Sequence, residues 1–440
     1  MDLKINPTKK LHGEITAPGS KSYSHRAFIV ASLADGISII KNPLTSGDVG
    51  VTIHALRELG ITILKESENS YIIKRSDLAF KYGKEIIDCK NSGTTLRILC
   101  ALSLLVEGGL SLTGEFLKRN RPIIPLLDAL KSLGADYELA ESILHIERKR
   151  KICETIKIQG DISSQFITAL LIVSSILECT IKNYIEIELT TPLVSYPYVE
   201  ITLDVLRSFG INLYEKLDID KKGKYLVTCS QNFRPQLYII PGDFSSAALF
   251  IAAAALTPED SKVVINNLNM QNPQGDKKII EILGEMGANI KIDEEKNQIK
   301  IEGNLTKHPL KGIEIDCKDI PDLFPILAVI GTFAEGKTTL YNASNLRFKE
   351  SDRISVMARE LSKMGAKVEE EKDKLIIHQC NKLKGAYIDH ENDHRIAMAC
   401  SVAALFADSN SHIINIEIIN DSYPSFIEHL NILGAQTEEI

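Results

Sequence analysis

What the chain lacks narrows its class before any motif is read. It has no basic excess: 51 Lys and Arg stand against 58 Asp and Glu, a formal net charge of −7. A general nucleic-acid or acidic-membrane surface is therefore excluded, and an anionic ligand has to be held by a local cluster. The eight cysteines, at 89, 100, 153, 179, 229, 317, 380 and 400, form no CxxC pair and no other metal-ligand spacing. That predicts buried thiols in a reducing cytosol and no metal site. The first residues, MDLKINPTKK, contain no apolar signal region, and the longest apolar stretches are Phe166 to Leu177 and Ala247 to Leu256. Both fall short of the about 20 residues that a membrane helix needs, so a soluble cytoplasmic protein is expected. There is no low-complexity segment and no obvious linker.

What the chain has is a repeat. With 440 residues and 44% hydrophobic content, it is long enough for two or three domains at roughly 100–200 residues each. Six times a helical apolar pattern closes on a glycine and enters a strand-like stretch: LRELGITI, LKSLGADYE, LRSFGINLY, LGEMGANIKI, LSKMGAKVEE and LNILGAQTEE. The glycines are Gly60, Gly134, Gly210, Gly287, Gly365 and Gly434, spaced by 74, 76, 77, 78 and 69 residues. One unit of roughly 75 residues has been copied six times, and a glycine just past a helix suits a left-handed C-cap where a Cβ would clash. A second repeated element supports the first. Segments 34–42, 107–114, 177–183, 258–267, 334–342 and 408–416 each leave a helix through a polar turn and re-enter a strand that alternates apolar and polar residues. Helices and strands alternate within every unit, as in layered α/β (or α+β) domains. Six units divide into two threes, and the weak periodicity from Gln231 to Gln236, with Pro235, is where the chain would cross from one three to the other.

One motif is a false signal. Residues 331–338, GTFAEGKT, match the P-loop spacing, but a P-loop follows a strand and opens a helix. Here a helical pattern, FPILAVIGTFA, precedes and a strand-like KTTLYN follows, so Gly336, Lys337 and Thr338 form one copy of the repeated turn.

The residues that can carry chemistry cluster at helix starts. PGSKSYSHRA delivers Lys21, Ser22, Ser24 and Arg26 just before the apolar AFIVASLA, gathering cations and hydroxyls at a positive helix N-terminus, the composition of an anion site. NSGTTLR sets Gly93 and hydroxyls ahead of a helix, SSQF offers Ser163, Ser164 and Gln165, and NRP puts Arg121 before a proline suited to a first helical turn. In the second half RFKESDR packs Arg347, Lys349, Glu350, Asp352 and Arg353 together; as a helix it would put Lys349 and Arg353 on one face, with Glu350 able to pair with Arg353. NDHR adds Asp393, His394 and Arg395 ahead of AMACSVAAL, and Asp322 stands in DIPD before the fifth unit's helix, where an N-cap is the bland role. Taken singly, each is a capping motif or a solvated charge run. Their recurrence at matching places is not.

This ordered series, PGSKSYSHRA, NSGTTLR, LTGEFLKRNRP, GDISSQF, LVSYPY, PGDFSSAA, IPD, NLRFKESDR and NDHR, resembles the 5-enolpyruvylshikimate-3-phosphate synthase family over essentially the whole chain. The resemblance implies a two-domain inside-out α/β barrel of six units, three per domain, with helices inside and sheets outside. The N-terminal domain would span 18–236 and the C-terminal domain 1–17 plus 237–440, with substrates bound in the cleft between them. It implies a monomer that uses no metal or organic cofactor and moves the enolpyruvyl group of phosphoenolpyruvate onto the 5-hydroxyl of shikimate 3-phosphate. By motif match, Lys21, Ser22, Arg26, Ser163, Ser164, Gln165, Ser195, Asp322, Asn345 and Lys349 would bind shikimate 3-phosphate. Phosphoenolpyruvate would meet Lys21, Gly93, Arg121, Gln165, Arg353 and Arg395. Asp322 would be the base and Glu350 the proton donor, with Lys21 assisting either step. One departure bears on phosphoenolpyruvate: where the family usually reads Lys-Ser/Thr-Phe/Tyr-Pro, this chain has Asp421, Ser422, Tyr423 and Pro424. Two alternatives follow. One is the sister enzyme acting on UDP-N-acetylglucosamine, which typically has a reactive cysteine where this chain reads GEFLKRNRPI; the other is a non-catalytic paralogue, suggested by Asp421.

Overall fold

A computed structural model describes residues 1–75, 80, 86–119, 121–179 and 182–440. Asn120 of the NRP motif and residues 180 and 181 of the 177–183 turn lie outside the described residues. The helices in chain order are α1 (Lys21–Leu33), α2 (Gly47–Glu58), α3 (Gly93–Leu102), α4 (Glu115–Lys118), α5 (Ile124–Lys131), α6 (Ser164–Ile176) and α7 (Tyr196–Ser208), then α8 (Phe244–Ala255), α9 (Lys278–Met286), α10 (Phe324–Phe333), α11 (Arg353–Lys363), α12 (His394–Leu405) and α13 (Phe426–Ile432). Six of them, α1, α3, α6, α8, α10 and α12, are core helices. All twelve residues of α12 and all but one of the ten in α10 are buried, because a helix apolar on every side has no face to give to water. The helices that follow them are apolar along one stripe only: α9 buries Ile279, Ile282, Leu283 and Met286, three or four apart.

Among the described residues there are six four-stranded sheets, all with one pattern. An edge strand lies parallel to the strand that follows a core helix, and two antiparallel strands complete the sheet, as in the order Leu237–Ile239, Ile37–Lys41, Ser70–Arg75, Ile61–Ser67. Four edge strands directly precede the core helix of their own repeat; the other two are exchanged. His12–Thr16, which leads into α1, pairs with Ser261–Asn266 after α8, whereas Leu237–Ile239, which leads into α8, pairs with Ile37–Lys41 after α1. This exchange divides the chain into two compact units, Gly19–Ile240 and Met1–Pro18 with Pro241–Ile440. The crossover therefore falls at 240/241 and 18/19, not at 236/237 and 17/18 as expected, since the ladder carries Leu237–Ile239 into the first unit. The sixth repeat is completed by the chain's first strand, with Leu3–Asn6 antiparallel to both Ser411–Ile413 and Gln436–Glu439. Each unit encloses its own apolar core.

The turn chemistry is as the repeat demands. Gly60, Gly134, Gly210, Gly287, Gly365 and Gly434 all have φ between 82° and 106°, a region that only glycine enters cheaply. At Gly134 a Cβ would also lie 1.8 Å from the Arg150 carbonyl oxygen. Asn42, Asn267, Asn342 and Asn415 end the strands of the second repeated element at φ of 46–67°, where asparagine is the next best tolerated residue. In the P-loop look-alike, Gly331 is inside α10, Gly336 makes the turn at φ 86°, and Lys337 opens the strand Lys337–Tyr341.

The cysteine expectation needs correcting. Cys89, Cys100, Cys229, Cys317 and Cys400 are buried thiols, but Cys380 is only half-buried, and Cys153 and Cys179 are joined as a disulfide. Sequence spacing could not reveal a pair 26 residues apart brought together by strand packing. No described helix is long and apolar enough to cross a membrane.

Candidate active site

In the unit Gly19–Ile240 Lys21, Ser22, Gly93, Ser164 and Gln165 sit on the first turns of the core helices α1, α3 and α6. α1 begins at Lys21, so Lys21, Ser22, Ser24 and Arg26 lie within the helix and not ahead of it. Lys21 Nζ meets Asp48 Oδ2 of α2 at 2.6 Å, both side chains being largely buried. One turn on, His25 Nδ1 is 2.7 Å from Thr52 Oγ1, and a chain of hydroxyls continues through Thr95 to Ser92 in steps of 2.7 Å. That chain ties α1 and α2 to the N-cap of α3, where Ser92 also accepts from the Thr95 amide. Burial, with the charges of Lys21 and Arg26, pushes His25 well below the ordinary histidine range, so its ring is neutral there. Arg26 points into the wall: its guanidinium donates to Thr202 Oγ1, Ser22 O, Thr168 Oγ1 and Tyr198 O, and burial draws it down to about 10.

Around α3 and α6 a second group forms. Gln165 accepts from Arg97 Nη1 at 2.5 Å and donates to Thr94 Oγ1 at 3.0 Å. Arg97 also donates to Pro122 O and lies over the rings of Phe116 and Phe166, with Cζ 4.8 and 5.1 Å from their centroids. Arg121 also lies over the Phe116 ring, with Cζ 4.7 Å from its centroid, and donates to Asn91 O, so two cations are held close to one electron-rich ring. Gly93 is the first residue of α3, and a Cβ there would lie 2.9 Å from Phe116 and 3.4 Å from Arg121 Nη2. Ser163 caps α6 by accepting from the Gln165 amide, and Ser164 opens that helix. Ser195, just before α7, is buried with a left-handed φ of 56°, a strained conformation for a non-glycine residue. One expectation fails here: Pro122 is in no helix, and Pro125 occupies the first turn of α5.

The other unit holds an interlocked set of charges. Arg353, the first residue of α11, is 1% exposed and donates from Nε to Asp393 Oδ2 (2.9 Å), from Nη1 to Asp322 Oδ1 (2.8 Å) and from Nη2 to Glu350 Oε2 (3.0 Å). Arg395 Nη2 reaches Asp322 Oδ2 at 3.1 Å. Asp393 also caps α12, accepting from the Arg395 amide. Burial disfavours ionised Asp322, but Arg395, Arg353 and Lys349 outweigh it and hold the carboxyl well below the usual range. Asp322 is thus no N-cap; Leu323 has that position. Asp276 lies near it, hydrogen-bonded by Ser245, and burial plus the Asp322 charge pushes it up to about 7. RFKESDR is not one helix: Ser344–Phe348 is a 3-10 turn containing buried Asn345, Lys349 is extended, and α11 starts at Arg353. The pairing of Glu350 with Arg353 holds regardless. Asp421 ends the 3-10 turn Ile416–Asp421, partly buried.

Sequence gave no role to Asp48, Phe116, Asp276 or Arg97. Arg97 left a trace, as a charged residue one turn into an apolar helix; the others are ordinary until folding brings them to their partners.

The family model described as EPSP synthase (3-phosphoshikimate 1-carboxyvinyltransferase) matches residues 5–430. A 3-phosphoshikimate 1-carboxyvinyltransferase of Methanocaldococcus jannaschii is 45% identical, covering 99% of both chains, and one of Halobacterium salinarum is 38% identical over the whole of both. The solved EPSP synthase of Acinetobacter baumannii superposes with a TM-score of 0.80 at 26% identity, covering 100% of both chains. Neither alternative reading, the sister transferase or the non-catalytic paralogue, is favoured by these matches. Matched by the family model over residues 5–430 and by relatives at 38–45% identity over essentially its whole length, the chain belongs to the EPSP synthase family.

Proposed function

We propose that the chain transfers the enolpyruvyl group of phosphoenolpyruvate to the 5-hydroxyl of shikimate 3-phosphate with release of phosphate. The observation that carries this reading is the Asp322 carboxylate gripped by Arg353 and Arg395, with Glu350 on the same Arg353 guanidinium. Both substrates are anionic, and a water-poor site lined by fixed cations stabilises them far more than water does. Lys21, Ser22, Ser163, Ser164, Gln165, Ser195, Asn345 and Lys349 are assigned to shikimate 3-phosphate. Arg26 joins them mainly by holding the Ser22 and Tyr198 backbone in place. Lys21, Gly93, Arg121, Gln165, Arg353 and Arg395 are assigned to phosphoenolpyruvate.

Asp322 takes the 5-hydroxyl proton as oxygen attacks C2 of phosphoenolpyruvate, while Glu350 protonates the methylene carbon. Loss of phosphate and of a methyl proton from the tetrahedral intermediate restores the enol ether. With its oxygens bound to two arginines, Asp322 is a weak base. An anion engaging Arg353 and Arg395 competes with it, raises its pKa and restores basicity only when substrate is present. A cytoplasmic location is the reading of the sequence composition and a monomer that of the family resemblance; they are tested by fractionation and by sedimentation.

The decisive measurement is phosphate release from phosphoenolpyruvate with and without shikimate 3-phosphate. Strict dependence on the acceptor is expected, and binding of both substrates without turnover would refute the reading. Asp322→Asn should lower kcat about 10²–10⁴-fold with KM little changed, as for loss of a proton-transfer group.

A further inference from the structure

Three sulfurs meet at one end of α6. Cys153 lies between the strands Ile143–Arg148 and Ile156–Ile158, Cys179 follows α6, and Cys229 follows the strand Gly223–Thr228. Cys153 and Cys179 form the disulfide, and Cys229 Sγ is 3.0 Å from Cys179 Sγ. The backbone fixes this approach: the amides of Cys229, Ser230 and Gln231 donate to Asn183 O, Leu177 O and Ser175 O, so the third sulfur cannot drift away without breaking that ladder. Arg148 completes the group, donating to Leu133 O, Ile152 O and Glu178 O while Nη2 lies 3.7 Å from Cys153 Sγ.

We propose that these three cysteines form an intramolecular thiol–disulfide exchange site in which Cys179 is the shared sulfur. The Cys229 thiolate attacks Cys179 Sγ, the Cys179–Cys153 bond breaks, and its electron pair leaves on Cys153. The proton lost by Cys229 is regained from solvent at Cys153, so one thiol and one disulfide give one thiol and one disulfide, and no oxidant or reductant is consumed. Exchange of this kind is fastest when the leaving sulfur is the better stabilised thiolate, and the Arg148 cation beside Cys153 supplies that. Burial raises the Cys229 thiol and Arg148 pulls it partly back, which makes the exchange slow at neutral pH and not absent. Its consequence is mechanical. The covalent tie on the C-terminal end of α6 moves from a partner 26 residues away to one 50 residues away, and the longer loop restricts the unfolded chain more.

The test uses the full chain, held under air without added thiol or disulfide at roughly pH 8.5, near the ordinary thiol pKa, then acid-quenched, alkylated and peptide-mapped. Two populations are expected in the natural sequence: a major one alkylated at Cys229 and a minor one alkylated at Cys153, with Cys179 blocked in both. Cys153→Ser should trap a Cys179–Cys229 disulfide, and Cys179→Ser should leave Cys153 and Cys229 both alkylated. A single pairing in the natural chain, alkylation of Cys179 and Cys229 together in Cys153→Ser, or a Cys153–Cys229 bond in Cys179→Ser would each overturn the proposal. The mapping of the unsubstituted chain stands even if a variant fails to fold.

Discussion

The two compact units repeat one architecture and spend their charge differently. In Gly19–Ile240 the candidate residues are cations and hydroxyls: Lys21 leans on Asp48, while Arg97 and Arg121 rest on the ring of Phe116 and on backbone carbonyls. In the other unit Arg353 is enclosed by Asp322, Glu350 and Asp393. A cation enclosed by three carboxylates is largely charge-balanced and fixes those carboxylates in position, and together with Arg395 it holds Asp322 in the ionised form. The first arrangement suits anion binding; the second adds positioned carboxylates for proton transfer.

The largest test of this contrast removes the central cation from each unit. Arg353→Met leaves three carboxylates without their buried partner and should cost about 3–5 kcal/mol of unfolding free energy by urea titration. Lys21→Met takes the cation from one largely buried carboxylate, Asp48, and a smaller loss of about 1–3 kcal/mol is expected; equal losses would erase the difference between the units. Next in size is pH. Asp276 has a folded pKa raised to about 7 against about 3.9 unfolded, so its contribution is full below about pH 4 and is lost as pH rises to 7. Asp322, depressed by its arginines, works in the opposite sense and only in acid. Asp276→Asn should therefore gain on the natural chain by on the order of a few kcal/mol between pH 5 and pH 8, seen as diverging urea midpoints; parallel midpoints would place no titrating carboxyl there.

Arg121→Lys sharpens the binding side. It gives up the planar guanidinium over Phe116 and should weaken phosphoenolpyruvate binding by about tenfold, measured by calorimetry, with unfolding unchanged. Smallest is Asp421→Lys, which should tighten phosphoenolpyruvate binding while moving stability by less than about 0.5 kcal/mol. Weaker binding would show that Asp421 is not in the way of the substrate.

Much of this was legible along the chain because it is local. A glycine at φ near 85° or an asparagine closing a strand follows from the bonded geometry of its own residue, so the six units and their turns could be counted from Gly60, Gly134 and their equivalents. Helix starts were nearly as clear, since Ser92, Ser163 and Asp393 cap within three residues of themselves. Distance in sequence defeated the rest. Whether RFKESDR is helical was open along the chain; in the fold Asn345 lies in a 3-10 turn, Lys349 is extended, and only Arg353 onward is helical. The disulfide, the Phe116 platform and the exchanged edge strands each join residues whose own neighbourhoods say nothing about the partner.

By itself, then, the sequence determined the repeat, the helix and strand order, and which residue types stand at the helix starts, because capping, periodicity and backbone conformation act over a few residues. Only the tertiary structure decided that Arg26 turns into the wall, that Arg353 collects three carboxylates, that Leu237–Ile239 belongs with the first unit, and that three cysteines share one corner. Those outcomes depend on electrostatic and packing terms that exist only once distant segments exclude water together.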